Sequence, residues 1–117
     1  MTEEKATELF EKWRKILHLE SWDIRFKWQV RERNMRLSDS VGCTTFSHES
    51  RQAIIEMLDP IDFENDLFQY DYEKTLIHEL LHLKFSDLDN SGDPLRDKLT
   101  HQIIDDIARA MVQAARG

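Results

Sequence analysis

Cysteine is nearly absent. Cys43 is the only one in 117 residues, which excludes an internal disulfide and any zinc cluster built from several thiolates. Long apolar runs are missing too: no stretch approaches the roughly 20 consecutive apolar residues that a membrane-spanning helix needs. Basic residues are in deficit, with 16 Lys and Arg against 23 Asp and Glu for a net charge of -7, so neither nucleic acid nor a membrane is an expected partner. The opening MTEEKATELFEKW has no basic region followed by an apolar segment, and together with the single thiol this gives the expectation of a reducing, cytoplasmic setting. Repeats, linkers and low-complexity tracts are lacking as well. What remains is one domain, 1–117, long enough to bury a real core.

Two hydrophobic periods divide the chain. Thr2 to Leu19 spaces Ala6, Leu9, Phe10, Trp13, Ile16 and Leu17 by threes and fours, the pattern of an amphipathic helix that covers a sheet, with its charged face in solvent. His18 at its end reads as a cation near the carbonyl terminus. From Ser21 to Arg33 the period becomes two: Trp22, Ile24, Phe26, Trp28 and Val30 alternate with polar residues, a half-buried strand whose outer face carries Arg25, Lys27, Arg31 and Arg33. Asn34 to Ser40 is a turn region. A short strand follows over Val41 to Phe46, with Gly42 permitting a bulge or a close backbone approach, and a third strand spans Gln52 to Leu58 before Asp59-Pro60. Ile61 to Tyr70 is an acidic, aromatic connector with room for a helical turn over Asp62 to Leu67. Ser86 to Asp93 is a turn-rich loop whose carboxylates do not follow a calcium-loop pattern. Pro94 opens a last helix reaching about Ala115, with Leu95, Leu99, Ile103, Ile107 and Met111 as its expected apolar stripe.

The chemistry concentrates in Tyr72 to Phe85, YEKTLIHELLHLKF. On a helix, His78 and His82 are separated by about 6 Å along the axis and about 40° around it, so both imidazoles leave from one face and can close on one cation. Two neutral imidazole nitrogens suit Zn²⁺. Glu79 lies on the flank of that face, off-line for ligation but able to take a proton from a water on the metal. Chance produces this pentad in roughly one shuffled chain in fifty, so the surroundings decide. Leu76, Ile77, Leu80, Leu81 and Leu83 spread apolar surface around the helix and mark it as buried, where two histidines and a glutamate need compensation that a metal provides.

His78-Glu79-Leu80-Leu81-His82 resembles the HExxH motif of the zincin metallopeptidases, and the order of a helix and three strands leading into it is similar to theirs. The resemblance implies an α+β zincin-like fold of minimal size: a small, mostly antiparallel three-stranded sheet packed with an N-terminal helix, the buried HExxH helix and a C-terminal helix. It also implies an edge strand, either Val41 to Phe46 or Gln52 to Leu58, that holds extended substrate by main-chain pairing. In the gluzincin branch the third ligand is a Glu on the following helix, and an Asp four residues beyond it orients a ligating histidine. His101, 19 positions after His82, and Asp105 match that spacing, with His in place of Glu. His101 is therefore the expected third ligand, Asp97 and Asp105 are the alternatives, and Asp105 is the expected partner of a ligating imidazole. The compact metzincin pattern is excluded because Phe85 and Leu88 stand where it needs Gly and His.

The implied activity is hydrolysis of a peptide bond in a peptide or protein substrate, with Zn²⁺ on His78, His82 and His101 and Glu79 as the base. Tyr70 and Tyr72 are candidate donors to the oxyanion or else packing residues. His48 is a weaker candidate for a substrate or metal contact. The reading from another class is a catalytically inactive, zinc-stabilised binding or regulatory domain.

Overall fold

The computed structural model describes residues 1–64, 67–89 and 91–117. Helix α1 spans Glu3–Ile16 and starts where the Thr2 hydroxyl accepts from the Lys5 N–H at 3.2 Å. It stops in a Schellman turn: His18 takes a left-handed φ of 56°, its N–H donates to the Lys15 carbonyl at 3.0 Å, and the Leu19 N–H reaches the Arg14 carbonyl at 2.9 Å. Strand β1, Asp23–Val30, follows the period-two pattern but ends before the expected Arg33. Arg31 turns away to grip Asp62 with two hydrogen bonds of 2.7 and 3.0 Å, and the chain enters a short 3₁₀ turn at Glu32–Asn34. Strand β2 is Gly42–Ser47 and β3 is Gln52–Leu58. A second 3₁₀ turn covers Pro60–Asp62; the helical turn expected over Asp62 to Leu67 runs through positions 65 and 66, outside the described residues.

The sheet order is β1-β3-β2, which corrects the expectation of a mostly antiparallel sheet. The short connection between β2 and β3 makes a hairpin, pairing Gly42 with Met57 through Ser47 with Gln52 in antiparallel register. The longer segment 31–41 carries the chain past the neighbouring position to the far edge, so β3 returns into the middle and runs parallel to β1, from Asp23 opposite Gln52 to Lys27 opposite Glu56. Because β3 is central, it cannot be the substrate-holding edge. Strand β2 has its outer side free among the described residues.

One face of this sheet carries Ala53, Ile55 and Met57, all buried, flanked by Ile24 and Phe26 of β1, and it receives the helices. Phe10 of α1 stacks on Phe26 with ring centroids 4.5 Å apart. Helix α2, Tyr72–Lys84, lies in the middle of the molecule, capped by the Asp71 side chain on the Lys74 N–H at 3.1 Å, with Leu76, Ile77 and Leu80 fully buried. Polar side chains fasten it from three sides. The Trp13 indole donates to Glu73 at 2.7 Å, the Tyr72 hydroxyl donates to the Trp28 carbonyl at 2.8 Å, and Arg116 makes two 2.8 Å bonds to Asp71.

Helix α3, Pro94–Arg116, packs along α2 with a face that only partly coincides with the one its sequence pattern selects. Thr100, Ile104, Ala108 and Val112 are buried, whereas Leu95, Leu99 and Ile103 are 65%, 48% and 51% exposed. The expected stripe holds at Ile107 and Met111, which pack partly buried against the core, and is corrected at Leu95, Leu99 and Ile103, where the buried face lies about one residue, roughly 100°, further round. Thr100 can be buried there because its hydroxyl donates to the Arg96 carbonyl at 2.8 Å, and the Asp105 carboxylate on the flank of this face stands 3.3 Å from Lys74 of α2. No described helix is long and apolar enough to cross a membrane.

Candidate metal centre

The one-residue rotation of α3 brings His101 and Asp105 beside the α2 histidines. Ring centroids of His78 and His82 are 5.1 Å apart, and His101 stands 4.8 Å from the first and 5.4 Å from the second. One ligand nitrogen from each of His78, His82 and His101 lies within 4.8 Å of the others. Tetrahedral Zn–N bonds require nitrogens about 3.3 Å apart, so small ring rotations would bring these three onto one ion.

Carboxylates stand behind two of the rings. Asp89 Oδ2 is 2.5 Å from His82 Nδ1, and Asp105 Oδ1 is 3.4 Å from His78 Nδ1, which leaves the opposite nitrogen of each ring to face the cluster. Asp105 is in turn 3.3 Å from the Lys74 ammonium and 2.7 Å from Arg109. Burial works against its charge, but Lys74, His78 and Arg109 outweigh that and hold its pKa below the ordinary value. Burial, with the neighbouring His82 and His101, lowers the His78 pKa to about 4. His78 therefore offers a neutral lone pair at neutral pH, the state that a metal needs.

Glu79 is buried on the side of α2 that faces β2. Its Oε1 accepts from the Thr44 hydroxyl at 2.6 Å, and burial raises its pKa against the opposing pull of His82 and Thr44. Gly42 explains how a carboxylate fits there. A Cβ on Gly42 would stand 2.8 Å from Glu79 Oε2 and 2.9 Å from Thr75 Cγ2, so only glycine lets β2 come this close. The close backbone approach expected at Gly42 is present.

The remaining candidates sit apart from the cluster. Asp97 is occupied by the Ser91 N–H and hydroxyl, both at 2.8 Å. Tyr70 donates to the Leu58 carbonyl and Tyr72 to the Trp28 carbonyl, each at 2.8 Å, and burial raises the pKa of both phenols, so these hydroxyls are committed to the fold. His48 ties the β2–β3 hairpin to the loop after α2 through Ser86 and Asp87, both at 2.7 Å. Cys43 borders the centre, but burial raises its pKa and Glu79 adds to the rise, so its thiol is a poor nucleophile.

Comparison of the chain with protein-family models, with curated proteins and with solved structures gives no match. Function is therefore argued from the site alone. Sequence reasoning missed Asp89 and Thr44. A carboxylate seven residues after His82, in a loop that folds back through Asp89 N–H to the Phe85 carbonyl at 2.9 Å, was the available signal for the first. Thr44 had none, because its role depends on how β2 crosses α2.

A cleft of about 1240 Å³ opens over the three histidines, between β2 and α3, with α2 as its floor. Gly42, Cys43, Thr44 and Phe46 form one wall, and His101, Asp105 and Arg109 the other.

Proposed function

We propose that the protein is a zinc-dependent hydrolase of peptide bonds, built as a minimal zincin-like domain. His78, His82 and His101 would hold the ion, Glu79 would act as general base, and Asp105 and Asp89 would orient the first two imidazoles. The observation that carries this reading is the meeting of three imidazoles within 4.8 Å beside a buried glutamate that is hydrogen-bonded on one oxygen. The donor set fits zinc: three imidazole nitrogens leave a coordination position open, as catalytic sites do. Bound there, Zn²⁺ would acidify a water and polarise the substrate carbonyl.

This chain's own residues account for the proton movements. Glu79, with its pKa raised by burial, accepts a proton from the attacking water as the water oxygen bonds to the carbonyl carbon. It returns that proton to the amine nitrogen as the C–N bond breaks. Thr44 keeps the carboxylate from turning away, and the free side of β2 offers backbone groups for pairing with an extended substrate. A peptide or protein substrate and a reducing, cytoplasmic setting complete the proposal.

A zinc-stabilised domain without turnover is the second reading, favoured by the commitment of both Tyr70 and Tyr72 hydroxyls to backbone carbonyls, away from any oxyanion. Glu79→Gln separates the two. The hydrolase reading expects one equivalent of zinc in both wild type and variant, with turnover of an unstructured protein substrate reduced about 10²–10⁴-fold in the variant. Wild type that binds zinc and cleaves nothing would favour the second reading, and zinc-loaded protein with no metal on these histidines would sink both.

A further inference from the structure

The two imidazoles of α2 are backed by carboxylates of unequal freedom. Asp89 Oδ2 lies 2.5 Å from His82 Nδ1, and His82 is the one charged partner of that carboxylate among the described residues, with both side chains 13% exposed. So short a contact delivers most of a carboxylate's charge to one ring. Asp105 is placed differently. Its Oδ1 stands 3.4 Å from His78 Nδ1 and 3.3 Å from the Lys74 ammonium, and its Oδ2 accepts from Arg109 Nη2 at 2.7 Å. Hydrogen bonds between charged groups run at about 2.7–2.9 Å, so Arg109 alone is at full bonding length and the imidazole is the furthest of the three.

Chain geometry builds this sharing into the site. Lys74, His78 and His82 follow one another at intervals of four and form one row along α2. Lys74 opens that row in the first turn, where the Asp71 side chain accepts from its N–H at 3.1 Å. Arg109 follows Asp105 by four residues on α3 and reaches the same carboxylate from its own helix. Two cations from two helices thus bracket the carboxylate behind His78. As a fastening between the helices the Lys74–Asp105 pair adds little, because both side chains are about one-third exposed and Arg116 already joins α3 to Asp71 through two 2.8 Å bonds.

We propose that Lys74 is a positioning residue for the metal centre: together with Arg109 it withholds Asp105 from His78 Nδ1, so that His82 is the firm arm of the site and His78 the yielding one. A carboxylate on one ring nitrogen strengthens the other as a donor, and sharing that carboxylate between two cations weakens the effect. His82 therefore anchors, and His78 gives less electron density and lets go first. The inference rests on these histidines taking a metal, as in the proposed function, and not on peptide hydrolysis.

Lys74→Met keeps most of the stem and removes the ammonium. Zinc affinity is measured on the full chain by competition with a chromophoric chelator, and the imidazole Nδ1–H protons of the zinc-loaded protein are read by NMR. Lys74→Met is expected to tighten zinc by about 3–10-fold and to move the His78 proton downfield towards that of His82, whereas Lys74→Arg keeps both at wild-type values. The metal-free melting temperature should stay within about 2 °C of wild type, as befits a partly exposed ion pair. In the Asp105→Asn background the effect of Lys74→Met on zinc should vanish, because Lys74 then has no carboxylate to withhold; a bare effect of charge would survive there and fade in about 0.5 M salt. Tightening that persists in that background overturns the inference while leaving zinc binding by the histidines intact, and so does unchanged or weakened affinity in Lys74→Met with an unmoved His78 proton. Protein that takes up no zinc at these histidines overturns the inference together with the proposed function.

Discussion

Gly42→Ala is the sharpest test of how the site is held together. The added methyl carbon meets Glu79 Oε2 at 2.8 Å, Glu79 Cγ at 2.9 Å and Thr75 Cγ2 at 2.9 Å, and real carbon contacts lie about 0.6 Å further out. Two of the three obstacles belong to one buried side chain, so relief requires Glu79 to leave the Thr44 hydroxyl or β2 to pull back from α2. Overpacking of this kind costs about 1–3 kcal/mol. The loss of a glycine from the unfolded chain returns roughly 0.4–1 kcal/mol, so the net destabilisation should be about 1–2 kcal/mol. For a chain of this size that is a fall in melting temperature of roughly 4–8 °C. Zinc content should not change, because the methyl reaches the carboxylate and not the imidazoles. On the hydrolase proposal, turnover should fall by about 10–100-fold, since a base displaced by several tenths of an ångström is badly aimed. A double-mutant cycle with Glu79→Ala isolates the cause: trimming Glu79 removes two of the three clashes, so the penalty for Gly42→Ala should shrink by about 1 kcal/mol in that background. Strictly additive penalties, or a Gly42→Ala protein that melts with the wild type, would refute the steric account.

Three further substitutions probe separate parts of the molecule. Asp89→Asn removes the charge beside His82 Nδ1 and should weaken zinc binding by about 10–100-fold in a competitive chelator titration while leaving the metal-free melting temperature nearly unchanged; unaltered affinity would mean that Asp89 does not orient the ring. His18→Gly relieves a left-handed residue at the end of α1 and should stabilise the protein by roughly 0.5–1 kcal/mol in urea, and a destabilised variant would contradict the Schellman reading. Asp62 is hydrogen-bonded by Arg31 and by the Glu32 N–H, which lower its pKa from 3.8 to about 2. A depressed carboxyl pKa stabilises the fold above pH 4, and that contribution disappears as pH falls from about 4 to about 2. Asp62→Asn should therefore lower stability slightly at pH 7, in a salt-dependent way, and converge with wild type near pH 2; a difference that persists at pH 2 would assign the effect to something other than charge.

What could be seen in the sequence was what depends on near neighbours. The Gln52–Leu58 strand and the Pro94 helix start stand where composition and turn residues put them, and α2 begins at Tyr72 behind its Asp71 cap. Period-two alternation identified β1, but it could not report that β1 lies parallel to β3, because strand order is set by where segment 31–41 crosses and no local pattern encodes that. Glu56 is a related case. It reads as a polar residue in a strand, yet it is buried on the second face of the sheet, where the Arg36 N–H bonds it at 3.2 Å and the Lys27 ammonium is 3.9 Å away. The 31–41 segment folds over that face, and burial of a strand residue from its outer side cannot be read from alternation.

The rotation of α3 ties these points to chemistry. Its large aliphatics, Leu95, Leu99 and Ile103, make the strongest stripe by hydrophobicity, and a helix packed on that stripe would hold His101 well round from α2. The helix instead buries Thr100, Ile104, Ala108 and Val112, with Ile107 and Met111 of the stripe partly buried beside them. The difference is offset at its two ends and along its flank. Arg116 locks the C-terminal end to Asp71 through two 2.8 Å bonds, the Asp93 side chain caps the N-terminal end at 3.0 Å, and Asp105 engages Lys74 on α2 at 3.3 Å. The Arg116 and Asp105 contacts join α3 to α2 and its cap in this rotation, whereas the Asp93 cap lies within α3, and the same rotation brings His101 to within 4.8 Å of His78, ring to ring. The orientation that gathers three imidazoles is thus one that buries Ile104, Ala108 and Val112, packs Ile107 and Met111 at their side, and joins α3 to α2 through Arg116 and Asp105, while Leu95, Leu99 and Ile103 stay exposed.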